Sequence, residues 1–181
     1  MPYDKAILKV QVNELTKKEL VDIVLKLAKK RSNYAFLLTN YIEKEEGEQT
    51  LYEETLLDID KIIAKEFNGR TIQHQQVKRF NACVKRINEF GSDVKNKKLE
   101  ADLMVYLLGL QFSNPVKIFG AKISGYDYKV GLLLKKLITV VSNKLHHDYL
   151  ADYQDIINDF LAKIHKTSNK INTIRELPRS I

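Results

Sequence analysis

Two adjacent histidines, one cysteine and a stripe of paired cations are the side chains in this 181-residue sequence whose types and spacing raise a question of chemistry. In "KLHHDYLADYQD", His146, His147, Asp148 and Asp152 gather imidazole and carboxylate, the donor set of a metal-dependent hydrolase, into a few residues. Neighbouring side chains on a helix diverge by about 100°, and helical metal ligands are spaced three or four residues apart. The adjacent histidines miss that spacing. The expectation is therefore histidines closing one helix and an aspartate capping the next, with no metal and no cofactor.

Cys83 is the sole cysteine, which excludes an intramolecular disulfide and any multi-cysteine zinc knuckle and points to a reducing, cytoplasmic setting. A nucleophilic thiol needs a base, and none stands at a recognisable spacing, so Cys83 is read as a small, part-buried side chain. His74 and His165 are isolated in sequence. Carboxylate pairs such as Glu53 with Glu54 suit acid-base work only when held in different environments around a cleft. Gly47, Gly69 and Gly91 stand singly, without a phosphate-cradling pattern. No catalytic constellation emerges, and the expectation is a protein that is not an enzyme.

The stretch "HQQVKRFNACVKRI", residues 74 to 87, carries Lys78, Arg79, Lys85 and Arg86. On a helix these point away from a stripe of Val77, Phe80, Val84, Ile87 and Phe90, so all four are expected to face solvent. Arg70, Lys95, Lys97 and Lys98 extend the track to a length that could neutralise phosphates. Residues 43 to 60 are acidic instead, which polarises a chain of net charge +7 and allows steering or self-association. No helix-turn-helix partner, aromatic RNA-binding strand or stacking run accompanies the basic helix.

The elements that must position these groups are all helical. "LTKKELVDIVLKLAKKRS" opens with a Thr16/Glu19 capping box, and "NYAFLLTNYIEKEE" follows, ended by Gly47. "TLYEETLLDIDKIIAKEF" precedes the basic helix, which Gly91 should end in a left-handed cap. A helix starting near Ser92 or Asp93 leads into the apolar "LEADLMVYLLGLQF", which should be central together with "YKVGLLLKKLITVVSNKL". Gly109 and Gly131 are placed to let those two approach closely. Between them, residues 114 to 128 read as a loop with Phe119, Tyr126 and Tyr128 as anchors for a partner. "HDYLADYQDIINDFLAKIHK" is a surface amphipathic helix.

These patterns predict an all-α fold of six or seven antiparallel helices, in places stacked as hairpins, forming one domain over residues 1–165 with a loosely ordered tail at 166–181. The longest apolar run, "LMVYLLGL", is too short to span a bilayer, and neither an export signal nor a membrane anchor is expected. The order of "LTKKELVDIVLKL", "IIAKEF" before a basic helix, and "EADLMVYLLGLQFSNPVKIFG" resembles a family of small, all-helical bacterial proteins known as a domain of unknown function. That resemblance covers roughly residues 5 to 165, implies an all-helical fold, and carries over neither an activity nor catalytic residues. The function expected is that of a non-enzymatic interaction or scaffold protein that binds a protein partner or itself. The alternatives are sequence-nonspecific nucleic-acid binding through residues 72–90 and, behind it, a hydrolase using His146, His147 and Asp148.

Overall fold

A computed structural model describes residues 4–66, 71–113, 120, 125–168 and 171–181. These residues form nine α-helices and no strand, so the protein is all-α as its periodicity predicts. The chain divides into two compact units, Met1–Glu48 and Gln49–Ile181, the division falling inside the stretch read from the sequence as one domain.

The first unit contains α1 (Lys5–Asn13), α2 (Lys17–Ala28), α3 (Arg31–Leu37), a π-helical turn (Leu38–Ile42) and the start of α4 (Glu45–Ala64). The capping box at α2 forms as expected: Glu19 N–H donates to Thr16 Oγ1 at 3.3 Å, and Thr16 N–H donates to Glu19 Oε2 at 2.8 Å. The hydroxyl and amide of Thr16 hold the Glu19 carboxyl below its ordinary value. Gly47 does not end a helix. The turn comes earlier, at Lys44 with φ 54°, and Gly47 sits within α4, where an added Cβ would stand 3.0 Å from Leu38 O.

The second unit holds the remainder of α4, then α5 (Ile72–Asp93), α6 (Lys97–Ser113), α7 (Gly125–Lys144), a 3-10 turn (His147–Tyr149), α8 (Leu150–Ser168) and α9 (Asn172–Arg175). Helix α7 packs against α5, α6, α8 and α9, which makes it the hub of this unit. Its Val130, Leu134 and Leu137 are inaccessible to solvent, as are Ala101, Leu103, Met104, Leu107 and Leu108 of α6 and Ile157, Leu161 and Ile164 of α8. Each leucine so buried contributes roughly 1.5–3 kcal/mol. Phe112 and Phe160 stack at 5.0 Å between ring centroids and join α6 to α8.

Helix α5 runs through Gly91 instead of stopping there. The reversal is made by Lys95, at φ 60°, and Asn96 Oδ1 then accepts from the amides of Lys98 (3.1 Å) and Leu99 (3.2 Å) to open α6. Nor do Gly109 and Gly131 face each other across a close helix pair. A Cβ on Gly131 would meet Ile174 at 3.2 Å, and one on Gly109 would meet nothing within 4 Å. Residues 171–181, within the stretch read as a loose tail, bury Ile174 and Leu177. At their end Ile181 N–H donates to Asn158 Oδ1 and Ile181 O accepts from Gln154 Nε2, both at 2.9 Å. No helix of the described residues is long and apolar enough to cross a membrane.

Candidate interaction surfaces

The basic stripe of α5 is not the four-cation face that its sequence suggests. Arg86 is 7% exposed. Its Nε donates to Asp58 Oδ2 at 2.8 Å and its Nη2 to Thr55 Oγ1 at 2.7 Å, while the Thr55 hydroxyl donates to Leu51 O at 2.7 Å. Arg79 is half-buried, with Nη2 donating to Lys65 O at 3.0 Å. Only Lys78 and Lys85 project as expected, and Lys85 pairs loosely with Glu89 at 3.8 Å.

The cause is the position of Cys83. The buried residues Phe80, Cys83, Ile87 and Phe90 define a face rotated by about 90° from one centred on Val77 and Val84. That rotation carries Arg79 and Arg86 to the flank of the core. Burial raises the Cys83 thiol to about 12, more than the nearby Arg79 lowers it, so Cys83 is a packing residue.

The cations downstream divide between exposure and pairing. Lys95 is exposed. Lys98 Nζ lies 3.1 Å from Asp102 Oδ2. Lys97 Nζ reaches Glu100 Oε2 at 2.6 Å, and Lys136 Nζ of α7 reaches Glu100 Oε1 at 2.7 Å and Asn88 Oδ1 at 2.8 Å. Burial alone would raise the Glu100 carboxyl, but the hydrogen bonds and charges of Lys136 and Lys97 outweigh it and hold it below its ordinary value. Arg70 lies outside the described residues.

Of the aromatic anchors expected between residues 114 and 128, Phe119 also lies outside the described residues. Tyr126 is not an anchor: it is 1% exposed, meets Phe80 edge-to-face at 5.9 Å and donates its hydroxyl to Gln111 Oε1. Burial pushes its phenol well above the usual range. Tyr128 is 40% exposed, with Lys129 Nζ 5.7 Å from its ring centroid. Between α5 and α7 lies an open groove of about 210 Å³, floored by Phe80, Val84 and Leu133 and edged by Asn88, Lys129 and Lys136. His146, His147 and Asp148 are all exposed and sit together at the start of the 3-10 turn.

Most of the large apolar side chains exposed among the described residues lie in the first unit, where sequence reasoning named no site. Helices α1 and α2 bury no residue. Ile7, Leu8 and Val10 of α1 and Val21, Ile23, Val24, Leu25 and Leu27 of α2 are all exposed, Leu25 by 62%. A signal was present: Leu20 to Ala28 place apolar side chains over about 200° of the α2 circumference, wider than one packing contact requires. Around them lie eight cations and four carboxylates in residues 4–31. Later in the same unit Phe36, Tyr41 and Ile42 are exposed, and the exposed Glu45 and Glu46 follow them in the chain. This chain matches no family model, no curated protein and no solved structure.

Proposed function

We infer that this chain is a non-catalytic interaction protein that associates with a second copy of itself through its N-terminal unit. One observation carries the reading: neither of these two amphipathic helices buries a residue, and Ile7, Leu8 and Val10 of α1 and Val21, Ile23, Val24, Leu25 and Leu27 of α2 are exposed. Burying half-exposed side chains such as Val21, Ile23, Leu25 and Leu27 on association would contribute about 1 kcal/mol each.

Charge selects the second copy as the occupant. Residues 4–31 are cationic, with Lys26 and Lys29 exposed at the end of α2, and the exposed Tyr41 and Ile42 are followed in the chain by the exposed Glu45 and Glu46. A basic apolar face and an acidic apolar face on one unit are complementary between copies, and a reciprocal pairing closes as a two-fold dimer. The nucleic-acid alternative is weakened because two of its four central cations, Arg79 and Arg86, are spent on Lys65 O, Asp58 and Thr55. Sedimentation velocity across a range of concentrations tests the proposal. A reversible shift from 21.0 kDa to twice that mass is expected; a monomer at every concentration contradicts it.

A further inference from the structure

Adjacent residues on a regular helix diverge, but His146 is not helical. With φ −63° and ψ 145° it is extended, and only His147 begins the 3-10 turn. The two rings therefore lie side by side, with centroids 4.3 Å apart and planes inclined at 42°. Asp148 reaches both of them: His146 Nδ1 is 3.0 Å from Oδ2, and His147 Nε2 is 3.0 Å from Oδ1. One ligand atom from each of the three residues lies within 4.8 Å of the other two.

The backbone beneath is fixed. Tyr149 N–H donates to His146 O at 3.0 Å, and α8 continues directly to Tyr153, which is buried and donates to Asp102 Oδ1 at 2.5 Å. The three donor side chains are open to solvent, which gives an ion a path in and leaves its remaining positions to water.

The geometry points to a surface site for one divalent transition-metal ion of the zinc or copper type, held by His146, His147 and Asp148. Bonds of about 2.0–2.2 Å from such an ion set its ligand atoms about 3–3.5 Å apart. Each imidazole nitrogen already stands at that spacing from one oxygen of Asp148, His146 Nδ1 from Oδ2 and His147 Nε2 from Oδ1, and rotation of the exposed side chains brings both nitrogens and one oxygen onto a common ion. Two imidazoles and a carboxylate suit zinc, copper or nickel ions better than magnesium or calcium, which prefer an all-oxygen shell. Nothing in this arrangement depends on self-association by the N-terminal unit.

Titration of ZnCl2 into the tag-free, chelator-treated full chain, followed by calorimetry and repeated with Co2+ for its visible spectrum, tests the site. Saturable uptake of one ion per chain is expected, with the affinity lowered at least about tenfold by His147→Ala and by Asp148→Asn. His74→Ala should leave it unchanged. Thermal unfolding without metal should be the same for all variants, because these side chains lie on the surface. Absence of saturable uptake overturns the proposal, and so does uptake of undiminished affinity in the His146→Ala/His147→Ala double variant.

Discussion

The Glu100 carboxylate fills the space where a Cβ on Gly91 would stand: that atom would lie 2.6 Å from Glu100 Cδ and 2.8 Å from each carboxylate oxygen. Gly91 is therefore a mid-helix glycine kept for room. Gly91→Ala should destabilise the second unit by about 1–3 kcal/mol despite the better helix propensity of alanine, as overpacking does. Urea unfolding checks this. Placed on a Glu100→Ala background, the same change should cost less, because the side chain it strikes has gone.

Glu100 also gives the fold an acid limit. Its carboxyl is held below the ordinary 4.5 by Lys136 and Lys97. A depressed folded value means that its contribution is complete above the unfolded value and is lost as pH falls through the folded one. Wild-type stability should decline from about pH 5 downward, and Glu100→Gln should flatten that part of the curve while costing about 1–2 kcal/mol at neutral pH. Thermal unfolding at a series of pH values gives both quantities.

Arg86 and Lys85 are neighbours in sequence with opposite expected effects. Arg86→Ala would remove the bonds to Asp58 and Thr55 and empty a buried position, at a cost of about 2–4 kcal/mol. Lys85→Ala, at a largely exposed side chain with a loose partner, should change stability by less than about 0.5 kcal/mol. Arg86→Lys should not recover the loss, because one ammonium cannot reach Asp58 and Thr55 in the geometry of the guanidinium fork.

That contrast marks how far the sequence could be read. Helical class, the Thr16/Glu19 cap and the burial of Leu107 and Leu134 follow from composition, spacing and cap chemistry, which act within a few residues. Which cations of α5 face outward depends on the rotation of the helix about its axis. Cys83 fixes that rotation, and its burial depends on neighbours distant in the chain. The role of Gly91 depends on Glu100 across a turn, where a lone glycine near an apparent helix end reads as a cap. His146 escapes helical divergence because it is extended by its place between α7 and the 3-10 turn, a matter of boundary placement that periodicity does not resolve. Ile174 is buried by α7 and α8 packing around it, although its own segment is too short to show a pattern.

Cys83 reports on the opening of the second unit. The thiol is inaccessible and raised to about 12, so at pH 8 it is protonated and shielded. Its reaction with a thiol reagent should be slower in the native protein than in urea by several orders of magnitude, and in the native protein its rate should follow the unfolding equilibrium. A native rate close to that of an exposed thiol would place Cys83 on the surface.

Charge reversal on each of the two N-terminal faces tests the association most directly. Lys26→Glu/Lys29→Glu reverses the charge locally at the end of α2, and Glu45→Lys/Glu46→Lys reverses it at the acidic face, so in each variant alone the two contact points carry like charge. Each variant alone should sediment as a monomer, and an equal mixture should recover a dimer containing one copy of each. If each variant dimerises as the wild type does, or the mixture stays monomeric, α1 and α2 do not meet the acidic end of a second copy.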